Sequence, residues 1–579
     1  MYTFRFASYL LALGLSCAVL PARGQASGAA PAGAAALARA QPDIPTLTPR
    51  QADNLAALVQ VWGMLKYFHP AVAAGQRDWD AELVRQLPPL LACRSVAERS
   101  RLLSAWITSL GPVPACLTCA APPDKPVRLS TDLGWARNKK RFSAPLRQQL
   151  AFIEANRYQG PAYYVTARGS TTVFPHEEAY ADQACPAQAL RLLALGRYWN
   201  MLQYYYPYSY LLEADWATVL PDLLPRFAAA STPLAYRHAA LALFARVHDG
   251  HARFYPPDPL LEAERGTYQV AADLQFLDNE AVVVRVRQDG LVPASPLAPG
   301  DILTSFDGRP VADIVQQRLP ETGGSNRAAQ LHTIAQNLLY CATPQVEAQV
   351  VRAGQPLRLA VPAVKVGSVP AAQPAPADSM YRFLTPEVGY IDMARITRAK
   401  VPAIMRAFAR TKGIVVDQRN YPGEFVATLL PAYLLARPAA YARAVERDPT
   451  YPGRFLWQAP DTVRPAGPAP YPGRVVVLVN EVSRSQAEFT AMALQATPHC
   501  TLLGSQTAGA DGNATFITLP GDLKTLMTGI GIYYPDNRET QRVGLVPDVP
   551  VRPTVTGLRQ GRDELRERAV ELITQAPGR

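Results

Sequence analysis

The sequence predicts a multidomain α/β protein. It has a duplicated helical N-terminal region, a small β domain in the middle and an α/β core at the C-terminal end. Three observations carry this reading. A chain of 579 residues is too long for a single hydrophobic core and divides into several domains. A segment in the first half recurs at a fixed offset. The last third alternates apolar runs with helical segments, the pattern of a mostly parallel sheet covered by helices.

Residues 1–24 read as a secretory signal. Arg5 supplies the positive end, Phe6 to Leu20 the apolar run, and Ala22-Arg23-Gly24 the small residues of a cleavage site. The run is shorter than the roughly 20 residues of a membrane span, and no later segment is long and apolar enough to span. The protein is therefore expected to be exported, to the periplasm or beyond. Lipid attachment at Cys17 is the alternative, but Gly14-Leu15-Ser16 is a poor lipobox. Residues 25–45 are rich in Ala, Gly and Pro and read as a flexible tether.

Residues 46–265 hold the repeat. Trp62-Gly63-Met64-Leu65 reappears as Trp199-Asn200-Met201-Leu202, an offset of 199 − 62 = 137. The same offset carries Asp78-Trp79 onto Asp215-Trp216, and Leu83, Leu87 and Pro88 onto Leu220, Leu224 and Pro225. Apolar residues fall at helical spacing in both copies, so each is a small helical unit whose aromatic stripe belongs to the core. Between them, Arg168-Gly169-Ser170 sits at the turn of a β-hairpin. The second copy ends in His248-Asp249-Gly250-His251. The first has Pro114 where the second has His251, since 251 − 137 = 114, so one copy is scaffold while the other reaches the chemistry.

Residues 266–365 alternate short β runs with turns, interrupted by a helix at 326–339, and residues 366–380 are a Pro- and Ala-rich linker. Residues 381–579 form the core. Strands are expected at Val388 to Met393, Gly413 to Asp417 and Val475 to Val479. Helices are expected at Val401 to Ala409, Gly423 to Leu435, after Ser485, and from Gly561 to Leu572.

Composition narrows the function. At 49% hydrophobic and 18% charged residues the chain is ordered rather than disordered. The net charge of +11 is scattered, with Asn138-Lys139-Lys140-Arg141 the densest run. It reads as a solvated basic surface, not a nucleic-acid site. Six cysteines follow the signal, and an exported chain is expected to form one or two disulfides among Cys93, Cys116, Cys119 and Cys185. Cys116-Leu117-Thr118-Cys119 has no second CxxC partner, so it is a structural bridge or a pair of buried thiols and not a metal site.

The chemistry points to the Val475 strand, which runs into a helix with serines at the junction. Such a turn exposes a hydroxyl, and the helix N-terminus favours developing negative charge. Three further stretches stand out. They are Asp417-Gln418-Arg419-Asn420-Tyr421-Pro422-Gly423, Thr507-Ala508-Gly509-Ala510-Asp511-Gly512, and Gly544-Leu545-Val546-Pro547-Asp548.

Together these motifs resemble the tail-specific (C-terminal processing) and tricorn-core serine peptidases. Ser295 to Val311 resembles the middle of a PDZ domain. The resemblance covers most of the chain and implies a ClpP/crotonase-like α/β peptidase core behind a PDZ-like domain. It implies Ser485 as nucleophile, with Glu488 one helical turn on; Ser483 is the rival. The tail-specific branch takes its base from a lysine whose position is Ala510 here. The tricorn branch takes a histidine from the helical region, which falls on His251, with His248 as fallback. Its supporting glutamate falls on Glu539 or Gln541. Gly423 and Gln486 are the implied oxyanion donors. No metal or organic cofactor is implied, and peptides or proteins are the implied substrates. The alternatives are a catalytically inactive peptide- or ligand-binding protein on the same fold, or an envelope adaptor centred on the PDZ-like domain.

Overall fold

The computed structural model describes residues 33–44, 46–212, 216–287, 292–368, 380–467 and 469–575. The expected signal, Cys17 and most of the linker lie outside them. Only part of the expected tether falls within, and it is not wholly extended. Ala34–Ala40 is helical, with Ala34 and Ala38 buried. An alanine-rich segment has high helix propensity, and its methyl face packs on the helical region.

The repeat is visible as two sets of three helices. Pro49–Phe68, Trp79–Ala92 and Val96–Ser109 correspond to Gln188–Tyr205, Trp216–Ala229 and Pro233–Ala245. Thr48 and Gln51 form a capping box ahead of Pro49, and the helix stops before Pro70, which cannot continue it. Within each set a pair of tryptophans locks two helices together. Trp62 donates its indole N–H to the Trp79 carbonyl at 2.8 Å, and Trp79 returns the bond at 3.0 Å. Trp199 and Trp216 repeat the exchange at 2.9 and 3.4 Å.

The two long helices cross at a pseudo-twofold axis. A Cβ on Gly63 would fall 1.8 Å from Asn200 Oδ1, and one on Gly196 would lie 3.2 Å from both Val59 methyls. Both contacts join repeat equivalents, 63 with 200 and 59 with 196, so the copies pack like an isologous dimer. At each contact one copy is a glycine and the other fills the space. Asn200 is fixed there, donating to the carbonyls of Val59 at 3.0 Å and Gly196 at 2.8 Å. Off the axis the copies differ. Lys66 and Arg197 bind Glu177 in the interior at 2.6 and 2.8 Å, whereas their equivalents are Gln203 and Gln60.

The helical region is not a separate body. Val127–Ser130, from the stretch between the copies, pairs with Arg454–Val463, which continues to Ala439–Arg447 and Gly531–Tyr533 in one four-stranded sheet. Val445, Phe455, Ile517, Leu519, Leu523, Met527 and Tyr533 share a single apolar core with the helices. The expected boundary between residues 46–265 and the core is thus crossed by both backbone pairing and side-chain packing.

The middle segment forms a β-sheet of Ala272–Leu277, Glu280–Val286, Ile302–Phe306, Gln345–Arg352 and Gln355–Pro362, with helices Val311–Arg318 and Arg327–Gln336 on its core. The C-terminal core is a six-stranded sheet. Its order is Tyr381–Thr385, Val388–Asp392, Gly413–Asp417, Arg474–Val479, Cys500–Gly504 and Val549–Pro550. All neighbours are parallel except the first pair. The central strands are continuous Val/Ile runs, as burial on both faces demands. Glu564–Thr574, capped by Asp563, covers one face.

The helix expected at Gly423 to Leu435 does not form; only Pro431–Leu434 takes a short 3₁₀ turn. Pro431 removes a helical donor, and the Gly423 N–H is already held by the Met393 carbonyl at 2.9 Å. Val426 and Leu430 are buried from an irregular chain instead. One disulfide joins Cys116 to Cys119, while Cys93 and Cys185 remain thiols.

The Gly63–Asn200 contact gives the first prediction. Gly63→Ala should lower stability by about 1–3 kcal/mol through overpacking, read as a lowered unfolding midpoint in urea. Gly63→Ala with Asn200→Ala should recover part of the loss. Equal loss in both variants would mean that the crossing is not set by this contact.

Candidate active site

The site lies at the C-terminal ends of the parallel strands, where side chains from several crossovers converge. The Arg474–Val479 strand ends at Asn480, and a tight turn leads into the helix Gln486–Gln495. Ser483 is buried within that turn. Its Oγ donates to the Gln418 carbonyl at 2.7 Å and accepts from Asn480 N–H at 3.1 Å. Its hydroxyl is fully engaged in structure. Ser485 is half-buried and sits at φ 53°, ψ −122°, a strained conformation for a residue with a Cβ. Its N–H donates to the Ala510 carbonyl at 3.0 Å and to Glu488 Oε2 at 3.2 Å. The Gln486 N–H has no acceptor among the described residues, as expected at the first turn of a helix.

Glu488 holds the loop facing the serine. It is completely buried and accepts from Thr507 Oγ1, Gly509 N–H, Ala510 N–H and Ser485 N–H. Burial still raises its carboxyl above the usual range, against those four donors. Glu488 is thus a brace that fixes the serine turn to residues 507–510.

His251 comes from the end of the second helical copy. It is buried, and its Nδ1 meets Thr528 Oγ1 at 2.8 Å and Asp249 Oδ1 at 3.4 Å. Asp249 is fully buried and accepts from His251 N–H at 2.9 Å, Thr528 N–H at 2.8 Å and Thr528 Oγ1 at 3.0 Å. Burial opposes its charge, yet the His251 and Thr528 contacts together hold its carboxyl below the usual range. Thr528 belongs to the hairpin Ala514–Leu519/Leu523–Thr528, which Phe254 joins at Thr525.

The two halves of the site meet at Ala510. A Cβ on Gly250 would fall 2.9 Å from the Ala510 methyl. Glycine at 250 and alanine at 510 are therefore one steric arrangement. A larger side chain at either position would push the histidine loop away from the serine loop. His251 and Ser485 make no hydrogen bond to each other here; such bonds are often long before substrate arrives.

Three expectations need correction. Gly423 is not a free oxyanion donor, because its N–H is bound to Met393, and a Cβ there would fall 2.8 and 2.9 Å from the Ala394 and Ile396 carbonyl oxygens. Glu539 faces elsewhere. It binds Arg128 at 3.0 Å and Tyr210 at 2.7 Å, and Arg128 in turn lies 5.3 Å from the Tyr533 ring. Gln541 is buried and donates to Tyr206 Oη at 3.2 Å, not to His251. The residues that support His251 are Asp249 and Thr528. Asp249 was readable, since it stands two residues before the histidine in the same motif. Thr528 was not, because only the hairpin's docking brings it there.

Buried polar groups without partners gather around the site. Asp511 Oδ2, both amide atoms of Gln418 and the Gln486 amide nitrogen are among them. Burial, and then the neighbouring Glu488, push the Asp511 carboxyl well above the usual range, which favours its protonated form. Among the described residues, no group of three or more His, Cys, Asp or Glu side chains gathers as metal ligands would.

Residues 387–551 match the family model described as Peptidase family S41. No curated protein matches the chain by sequence. Among solved structures, mature CPAF aligns with a TM-score of 0.52 at 14% identity, over 68% of this chain and 99% of that one. Mature CPAF complexed with lactacystin gives 0.50 at 14%, over 67% and 99%. At these identities the likeness establishes a shared fold. The photosystem II D1 C-terminal processing protease aligns at 0.37 and 20% identity, over 65% of this chain and 97% of that one.

Asp511 sets a pH prediction. Its folded-state pKa is raised, so its stabilising contribution is complete below the unfolded value of about 4 and is lost as pH rises towards the folded value. Asp511→Asn cannot ionise, so its melting temperature should gain on wild type as pH increases above about 4. Parallel curves for the two proteins across that range would exclude a protonated Asp511.

Proposed function

We propose that this chain, which belongs to peptidase family S41 and is a serine-type peptidase, cleaves peptide bonds with Ser485 as nucleophile and His251 as base. The observation that carries this is the buried Asp249–Thr528–His251 array, delivered by a second region of the chain to the loop that holds the strained Ser485. With Nδ1–H directed to Thr528 Oγ1, and that hydroxyl donating to Asp249, Nε2 is the nitrogen left to accept a proton.

In this mechanism Ser485 Oγ attacks the substrate carbonyl carbon and His251 Nε2 takes its proton. The Gln486 N–H donates to the oxyanion at the helix N-terminus, where no reorganisation is needed. The imidazolium formed is stabilised by Asp249 through Thr528. It protonates the leaving amine as the C–N bond breaks and the acyl-enzyme forms. Water, deprotonated by Nε2, then attacks the ester carbonyl; the ester C–O bond breaks, and Nε2 returns the proton to Ser485 Oγ as the carboxylic acid product leaves.

The wider reading is an exported endopeptidase. Residues 1–24 are its signal, and the β-rich segment 266–365, read as PDZ-like, contacts the core near the site. Asn326, which caps the helix of that segment, donates to the carbonyls of Thr507 at 2.8 Å and Ala508 at 3.1 Å. A non-catalytic, ligand-binding reading is favoured by one observation, the engagement of Gly423 N–H, which leaves Gln486 as the identified oxyanion donor.

Cleavage of a mixed peptide library by the full chain separates these readings. Ser485→Ala and His251→Ala should each reduce kcat by roughly 10⁴-fold or more, and Asp249→Asn by roughly 10²–10⁴-fold. Glu539→Gln should leave kcat within a few-fold of wild type. A fluorophosphonate should label wild type at Ser485. Cleavage that survives His251→Ala would identify another base, and an unlabelled, inactive, folded wild type would establish the binding reading.

A further inference from the structure

Residues 321–326 of the middle segment run between three parts of the chain. Glu321 is held by the helical region, where it meets His238 Nδ1 at 2.6 Å and pairs with Arg226. Gly323 then packs on the loop of His251. A Cβ there would fall 2.3 Å from the Ala252 carbonyl oxygen and 3.7 Å from that of Asp249. The buried Ser325 accepts the Gly250 N–H on its Oγ at 2.8 Å. This one segment therefore touches the residues on both sides of His251.

Asn326, half-buried, reaches the core. Its Nδ2 lies 2.8 Å from the Thr507 carbonyl oxygen, 3.1 Å from that of Ala508 and 3.3 Å from that of Arg542. Its Oδ1 accepts from Ala329 N–H at 3.0 Å and so caps the helix Arg327–Gln336. That cap fixes the orientation of the amide, because only its oxygen can accept. Two amide hydrogens are thus shared among three carbonyls. These carbonyls belong to the loops that brace the nucleophile. Ala508 N–H donates to the Ser483 carbonyl at 2.9 Å, Ser485 N–H to the Ala510 carbonyl at 3.0 Å, and Arg542 N–H to the Gly509 carbonyl at 2.8 Å. Arg542 Nη2 also donates to the Val247 carbonyl, at the base of the histidine loop, at 3.0 Å.

Among the described residues, neither Ser325 nor Asn326 makes a hydrogen bond to the side chain of His251 or Ser485. Any effect they have on the reaction passes through the loops. Such an effect is large in rate even where it is small in stability, because a misplacement of about 1 Å between reacting groups costs up to roughly 10²-fold. We propose that Ser325 and Asn326 are positioning residues. Together they clamp the His251 loop to the loop facing Ser485, so that the geometry between base and nucleophile is set from the middle segment. The effect on rate rests on the Ser485–His251 reading above; the clamp itself does not.

Substitutions that keep the helix cap separate positioning from folding. Asn326→Asp and Asn326→Ser both leave a good capping side chain, so the helix Arg327–Gln336 should stay formed. Asp sets a charged oxygen against the three carbonyls, and Ser has no amide to offer them. Ser325→Ala removes the acceptor of the Gly250 N–H. In the full-length protein each variant should lower kcat roughly 10–100-fold per folded molecule, with KM within about three-fold of wild type. Hydrogen exchange followed by mass spectrometry reads the clamp without catalysis. The Asn326 variants should speed exchange across residues 507–510, and Ser325→Ala across residues 249–252, by roughly ten-fold or more, while residues 331–336 keep wild-type protection. Unchanged exchange at both loops, loosened loops with kcat unaltered, or a raised KM with kcat unaltered would overturn the proposal. Protection lost equally at 331–336 would give Asn326 a capping role alone and overturn it too. A wild type that cleaves nothing would refute the peptidase reading, and the exchange pattern would still decide whether the two loops are clamped.

Discussion

The site depends on one buried carboxylate, Asp249. An ionised carboxyl away from water is expensive unless hydrogen bonds surround it. Here the bonds come from its own loop and from Thr528, on a hairpin nearly three hundred residues later in the chain. The interaction therefore orients His251 and at the same time fastens the helical region to the core. The core carries Ser485 and the helical region carries His251.

The duplication explains how a helical region carries that loop without losing its stability. The Trp–Trp exchanges recur in both copies, and the copies meet on a pseudo-twofold axis through Gly63/Asn200 and Val59/Gly196. Packing of this kind is redundant enough to let the copies diverge away from the axis. One copy ends at Pro114, and the other ends in the Asp249–His251 loop. The strand Val127–Ser130 then fixes the orientation of the whole region by joining the core's antiparallel sheet.

Close approach is the second constraint. Gly250 and Ala510 lie so near each other that a Cβ on Gly250 would fall 2.9 Å from the Ala510 methyl, so the two loops meet without room for a larger side chain. Around it the chain retains features that cost stability, including Ser485 in a strained backbone and a buried acid at Asp511. Such costs concentrate where a ligand is meant to complete the structure.

Much of this was legible in the sequence, because it depends on local pattern. The repeat, the parallel sheet with its Val/Ile strands, the serine at a strand-to-helix turn and the D-x-H motif are all encoded by neighbours within a few residues. The tertiary structure alone decided the rest. Glu539 was drawn to Arg128 and Tyr210, Gly423 gave its N–H to Met393, and Thr528 came to His251, because these contacts form only when distant segments dock. The sequence by itself determined most of the elements that form and the segments that carry Ser485 and His251. Which of those side chains touch was decided by packing, since a hydrogen bond is won by whichever donor or acceptor the fold brings within about 3 Å.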